Sequence, residues 1–127
     1  MKILLAEDDY ATRKFMVSFL SQYGECDVTV DGMEAVDAFL MALEDEEPYD
    51  LVCLDIMMPV MDGYQALMGI RNLENIPKEN EVKVIMTTAL NEEQNVKMAF
   101  DLGCTIYSGK PIDQTRFEQA LKKLNLI

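Results

Sequence analysis

Acidic, hydroxyl and cationic side chains follow four short apolar segments of the chain, each at the point where the segment ends. The segments are residues 3–6, 51–54, 82–86 and 105–107. The side chains after them are, in order, Glu7, Asp8 and Asp9; Asp55; Thr87 and Thr88; and Lys110. If these segments are parallel strands, their carboxyl ends meet at one edge of the sheet, where open α/β proteins place their functional sites. We therefore expect Asp8 and Asp55 to converge.

Carboxylates that converge in one pocket repel each other, by about 4 kcal/mol at about 4 Å and an effective dielectric constant near 20. A divalent cation with oxygen ligands would offset this repulsion, and Mg²⁺ accepts a site with few carboxylates, waters and phosphate oxygens. Lys110 offers a second compensating charge. For Glu7, Asp8 and Asp9, a helix N-cap with acids in the first turn remains an alternative.

A nucleophilic carboxylate, a metal site, a hydroxyl and a fixed cation together are typical of phosphoryl transfer. The sequence has no histidine. This excludes Ser-His and Cys-His catalysis and any zinc site with histidine ligands. The residues in this arrangement thus favour a phosphoryl group received on Asp55.

Length and charge limit the other functions. The 127 residues fit one domain, 1–127, and carry a net charge of −12, which disfavours nucleic acids and anionic membranes as partners. No apolar stretch is long enough to span a bilayer. Three cysteines without C-x-x-C spacing are typical of free thiols in a reducing cytoplasm, which is the expected location.

Apolar runs alternate with amphipathic segments along the chain. The pattern predicts strands at residues 3–6, 26–30, 51–54, 82–86 and 105–107, and helices at 11–23, 33–43, 62–73, 92–102 and 113–124. Asp31-Gly32 is interpreted as a turn, Gly103 as a helix end and Asp113 as an N-cap. The predicted fold is α/β, a doubly wound (βα)₅ three-layer sandwich around a parallel sheet.

Four motifs resemble the receiver domain of bacterial response regulators, and the resemblance covers essentially the whole chain. They are ILLAEDD at 3–9, LDIMMP followed by MDG at 54–63, MTTA at 86–89 and KP at 110–111. The resemblance implies a flavodoxin-like, CheY-like fold with strand order 2-1-3-4-5. It also implies a cis peptide between Lys110 and Pro111, and two-component signalling as the process.

The resemblance further implies a role for each matching residue. Asp55 would take the phosphoryl group from a phosphohistidine of a sensor histidine kinase or phosphotransfer protein. The implied Mg²⁺ ligands are Asp8, Asp55, the backbone carbonyl of Met57 and, through a water, Glu7. Thr88 would hydrogen-bond the phosphoryl group, and Lys110 would pair with it.

Tyr107 matches the aromatic switch position of the family. When Thr88 moves toward the phosphoryl group, the Tyr107 ring would enter the space that Thr88 leaves. This would alter the surface formed by the fourth helix, fifth strand and fifth helix. Met57 and Leu90 match positions beside the path of the hydrolytic water. Because both are apolar, we expect slow self-dephosphorylation.

Other readings remain open at this point. A Mg²⁺-dependent phosphohydrolase with Asp55 as nucleophile would normally carry a second Asp where Met57 stands. An interaction domain with a vestigial pocket and a flavin-binding protein are weaker alternatives. We expect a monomeric, single-domain switch, although a receiver cut from a larger regulator fits too. Its kinase, its downstream protein and its pathway, whether chemotaxis, a phosphorelay or development, are not indicated.

Overall fold

The computed structural model describes residues 1–89 and 93–127, and of Glu93 only the backbone. Strands and α-helices alternate throughout. The strands are β1 (Lys2–Ala6), β2 (Glu25–Thr29), β3 (Leu51–Asp55), β4 (Lys83–Thr88) and β5 (Ile106–Gly109). The helices are α1 (Tyr10–Leu20), α2 (Gly32–Glu44), α3 (Gly63–Glu74), α4 (Glu93–Asp101) and α5 (Gln114–Lys123), with a short 3₁₀ helix at Lys78–Asn80.

The strands form one parallel sheet in the order β2-β1-β3-β4-β5, which confirms the predicted doubly wound topology. Leu5 pairs with Cys53 across β1 and β3, and Asp55 pairs with Thr87 across β3 and β4. This register aligns the carboxyl ends of the central strands. The side chains that follow them therefore start from the same edge.

Two apolar layers cover the sheet, one on each face. The first contains Leu4, Val52 and Val84 from the strands, packed with buried residues of α2, α3 and α4. The second contains Ile3, Leu51 and Ile85, packed with buried residues of α1 and α5. Every residue of β3 is buried, as expected for a central strand covered on both faces.

Several element ends differ from the sequence prediction. Strand β4 extends to Thr88, so Thr87 and Thr88 belong to the strand instead of following it. Helix α1 ends at Leu20, short of the predicted residue 23. The Tyr23 ring packs edge-on against the Phe19 ring, with the ring centres 5.5 Å apart. Tyr23 thus matches the apolar spacing of the helix because it packs against Phe19, although the helix has already ended.

Asp31-Gly32 is not a free turn, because Asp31 caps α2 and Gly32 begins it. The Asp31 carboxylate accepts a hydrogen bond from the Glu34 amide at 2.8 Å. The predicted helix ends at Gly103 and Asp113 are confirmed: Gly103 has φ +104° just beyond α4, and Asp113 caps α5. Glu92, predicted as the first residue of the fourth helix, lies outside the described residues.

Cys26, Cys53 and Cys104 are all free thiols, and the last two are buried. Within residues 1–89 and 93–127, none of the helices has the length and apolar composition to cross a membrane.

Candidate functional site: an acidic pocket at the carboxyl edge of the sheet

The carboxyl ends of β1, β3 and β5 bring three acids and one lysine together. One carboxylate oxygen each from Glu7, Asp8 and Asp55 lies within 4.8 Å of the other two. Glu7 is 1% exposed and Asp55 is 3% exposed, whereas Asp8 faces solvent. The predicted convergence of Asp8 and Asp55 is therefore present, with two buried acids and one at the mouth.

Lys110 lies against the two buried acids. Its Nζ is 2.7 Å from Glu7 Oε1 and 3.2 Å from Asp55 Oδ2. Burial alone would lower the pKa of Lys110, but the hydrogen bond to Glu7 and the charge of Asp55 outweigh burial and raise this pKa. The lysine is therefore a fixed cation. The peptide bond between Lys110 and Pro111 is cis, as the resemblance implied.

The pocket holds more negative charge than one lysine offsets. Burial, followed by the hydrogen bond and charge of Glu7, raises the pKa of Asp55 to about 7, although Lys110 acts in the opposite direction. A carboxyl that is difficult to ionise beside two further acids is a site where an added cation is favourable.

Asp9 has a different use. Its carboxylate accepts hydrogen bonds from the amide and hydroxyl of Thr12 at 2.9 and 2.7 Å, so it caps α1. These hydrogen bonds lower the pKa of the Asp9 carboxyl. The capping interpretation thus applies to Asp9, while Glu7 and Asp8 contribute to the pocket.

The loop after β3 lies beside the acids. The Met57 amide is 3.4 Å from Asp55 Oδ1, and its side chain is exposed. A groove next to the acids is lined by Asp8, Ile56, Met57, Met58, Pro59, Asp62 and Tyr64. The implied role of the Met57 carbonyl as a metal ligand remains a prediction.

Thr88 is fully buried at the end of β4, and its carbonyl accepts a hydrogen bond from the Lys110 amide at 2.8 Å. Tyr107, on the neighbouring β5, is partly buried and packs against the apolar layer of α2, α3 and α4. The structure thus places the threonine and the tyrosine on adjacent strands. Leu90, the second residue expected to affect the lifetime, lies outside the described residues.

Sequence reasoning assigned no role to Gly63 or Arg13. A Cβ on Gly63 would collide with the main-chain carbonyl of Asp55, so only glycine lets α3 begin this close to the acid. The Arg13 guanidinium donates to the carbonyls of Glu7 and Asp8, both at 3.1 Å. The MDG motif could have indicated a role for Gly63, whereas no motif in the sequence includes Arg13.

Comparison with known proteins agrees with this geometry. The family model described as the response regulator receiver domain matches residues 3–122. A chain of the Borrelia burgdorferi CheX–CheY–BeF₃–Mg²⁺ complex is 30% identical with a TM-score of 0.85, covering 98% of this chain and 89% of that chain.

Two curated relatives are much longer than this chain. The regulatory protein VanRB of Enterococcus faecalis is 36% identical over 112 residues, which are 87% of this chain and 46% of that protein. Probable histidine kinase 2 of Oryza sativa subsp. indica is 34% identical over 131 residues, 95% of this chain and 12% of that protein. The chain thus spans less than half of either relative, and by its family match it belongs to the response regulator receiver domains of two-component systems.

Proposed function

We propose that Asp55 accepts a phosphoryl group in a Mg²⁺-dependent reaction and that its phosphorylation switches a protein-binding surface. The observation that carries this proposal is the buried Asp55 carboxylate, grouped with Glu7 and Asp8 and ion-paired to Lys110 at 3.2 Å. The donor is a phosphohistidine of a sensor histidine kinase or phosphotransfer protein.

In the proposed transfer, a carboxylate oxygen of Asp55 forms the new bond to phosphorus. The bond between phosphorus and the donor histidine nitrogen breaks, and its electron pair stays on that nitrogen. Lys110, already held by Glu7 at 2.7 Å, stays beside Asp55 and stabilises the charge on the transferred group. The Thr88 hydroxyl, at the end of β4, donates a hydrogen bond to a phosphoryl oxygen.

The donor set fits Mg²⁺. Asp8 and Asp55 would hold the ion through carboxylate oxygens, Met57 through its backbone carbonyl, and Glu7 through a water. Oxygen donors with an exposed acid at the mouth leave room for the waters and phosphate oxygens that Mg²⁺ retains. When bound, the ion would supply positive charge that neutralises the carboxylates and the phosphoryl oxygens.

The switch would begin at Thr88 and end at the surface of α4, β5 and α5. Hydrogen bonding to the phosphoryl group draws Thr88 inward, and the partly buried Tyr107 ring on the adjacent strand moves into the vacated space. The acyl phosphate adds negative charge and acceptor oxygens, so it biases two arrangements of this surface. A downstream protein would bind one of the two.

We further propose that residues 1–127 form one receiver unit that is monomeric before phosphorylation. Its three free thiols fit a reducing cytoplasm. The CheX–CheY complex from Borrelia burgdorferi supports a protein partner for the phosphorylated state. Whether the unit acts alone or within a larger regulator is tested by the size of the native protein in cell extracts.

Loading from acetyl phosphate tests the proposed function. We expect one phosphoryl group per chain with Mg²⁺ and none after chelation with EDTA, measured by intact-protein mass. Released phosphate is followed in the same samples. Sustained turnover of many phosphates per chain would contradict the switch and favour a phosphohydrolase, which the family match and Met57 at the second-acid position do not favour.

A further inference from the structure

Arg13 connects helix α1 to the main chain of the three-residue loop between β1 and α1, which consists of Glu7, Asp8 and Asp9. The residue lies in the first turn of α1, and its amide donates to the Asp9 carbonyl at 2.8 Å. Its side chain turns back, and Nη1 donates to the carbonyl oxygens of Glu7 and Asp8, both at 3.1 Å. Both residues lie beyond the last residue of β1, although the Glu7 amide still donates to the Thr29 carbonyl of β2 at 3.1 Å.

The guanidinium is itself held in place. It lies over the Tyr10 ring, with its carbon 5.6 Å from the ring centre, and the side chain is only partly buried. On the other side of the loop, Asp9 caps the helix through Thr12, and the Asp9 amide donates to Glu7 Oε2 at 3.1 Å. The three-residue loop is therefore fastened at each of its members.

Repulsion among the acids acts against this arrangement. One carboxylate oxygen each from Glu7, Asp8 and Asp55 lies within 4.8 Å of the other two, and repulsion favours movement of the exposed Asp8 carboxylate into solvent. A fixed main chain at Asp8 limits how far this carboxylate can move away from the pocket. Hydrogen bonds from a charged donor are stronger than those between neutral groups. Groups outside the ligand shell that hydrogen-bond a metal ligand fix its orientation. Arg13 contacts the main chain of Asp8, which sets the direction in which the Asp8 side chain leaves the backbone.

We propose that Arg13 is a positioning residue for Mg²⁺ binding, which holds the Glu7 and Asp8 carbonyls so that the Asp8 carboxylate stays directed into the pocket. The inference rests on the proposed function. Arg13 contacts neither the ion nor the phosphoryl group in this scheme. Its charge alone would repel Mg²⁺, so the direction of the mutational effect separates positioning from repulsion.

Arg13→Met is the principal variant, because it keeps a long unbranched side chain and removes the donor. We expect its Mg²⁺ dissociation constant to rise by about tenfold in isothermal titration calorimetry, in line with losses of groups that support metal ligands. Lys14→Met is the matched control, since it removes the same charge from an exposed position in the same helical turn. Its Mg²⁺ affinity should equal that of the wild type.

Arg13→Lys distinguishes the effect of the positive charge from that of the hydrogen bonds to the two carbonyls. Lysine keeps the charge but is shorter, so we expect about threefold weaker Mg²⁺ binding, and this variant decides the question if Arg13→Met does not fold. Thermal unfolding without Mg²⁺ is measured for every variant. Affinity that is unchanged or tightened in the Arg13 variants, or weakened equally by Lys14→Met, would overturn the inference. Absence of Mg²⁺ binding by the wild type would instead overturn the proposed function on which it rests.

Discussion

At the scale of single residues, the proposed function depends most on Asp55. It lies in the interior beside Glu7, and Lys110 contacts both acids. Residue types and strand ends were enough to predict this group, because the carboxyl ends of parallel strands share one edge. Arg13 could not be predicted in this way, since a side chain that donates to main-chain carbonyls places no constraint on the identity of the residues it contacts.

The buried charge of Asp55 should cost stability. Its pKa of about 7 against the usual 3.8 corresponds to about 4 kcal/mol at most. Because the folded-state pKa is raised, the wild type loses stability as the pH rises from about 4 to about 7. We expect Asp55→Asn to be more stable by about 2 kcal/mol at pH 8 without Mg²⁺, and nearly equal at pH 4.

Urea unfolding of both proteins across this pH range checks the prediction. A difference that does not change with pH, or an Asp55→Asn variant that is less stable at pH 8, would show that the Asp55 charge is fully compensated in the fold.

Met57 is expected to make the phosphorylated state long-lived. Its side chain is 61% exposed beside Asp55 and offers no strong hydrogen-bonding group to orient a water. We expect the wild type to lose its phosphoryl group over minutes or longer, and Met57→Asn to lose it several-fold faster. After loading from acetyl phosphate and removal of the donor, decay is followed by intact-protein mass. Wild-type decay within seconds would contradict the prediction.

At the scale of elements, helix α3 begins directly against the main chain of Asp55 and of the loop after β3. Gly63 begins the helix against the Asp55 carbonyl, Asp62 caps it, and the Tyr64 hydroxyl donates to the Asn95 carbonyl of α4 at 3.2 Å. The helix itself was predicted to within one residue at each end, because its apolar residues recur with the 3.6-residue period of an α-helix. The contact with α4 was not predicted, because its acceptor is a main-chain group that any sequence provides.

The loop before α3 carries a strained residue. Val60 has φ +69° and is 77% exposed, so a β-branched side chain adopts a left-handed backbone with little packing in return. Asn adopts this conformation more readily. We expect Val60→Asn to raise the free energy of unfolding by about 1 kcal/mol.

Val28→Asn is the control for this change. Val28 is also exposed but lies in β2, where the backbone is extended and valine is favoured, so the same substitution should destabilise. Equal effects of the two substitutions in urea unfolding would show that Val60 is not strained.

At the scale of the whole molecule, two apolar layers enclose a parallel sheet in a chain of net charge −12. The alternation of short apolar runs with amphipathic segments predicted the layers and the number of strands, because strands and helices differ in the spacing of their apolar residues. The end of α1 and the length of β4 were misjudged, since apolar spacing continues past the helix and two threonines continue the strand. Element ends depend on tertiary packing, which a single-sequence pattern does not contain.

If Mg²⁺ binds the folded pocket and not the unfolded chain, as proposed, it should stabilise the whole fold. At a concentration 100 times the dissociation constant, the expected gain is about 2.7 kcal/mol. Asp8→Asn removes one of the three converging carboxylates and should abolish most of this gain. Thermal unfolding with MgCl₂ is compared with NaCl at equal ionic strength. Equal stabilisation by the two salts would show that only general screening acts on the charge of −12.

Identification of the phosphorylated residue is the most direct test of the central claim. The protein is loaded from acetyl phosphate with Mg²⁺, reduced with borohydride, which converts an aspartyl phosphate to homoserine, and mapped by peptide mass spectrometry. We predict homoserine at position 55 alone, and none in Asp55→Asn. Reduction at another carboxylate in the wild type, or loading of Asp55→Asn to the wild-type level, would contradict the account.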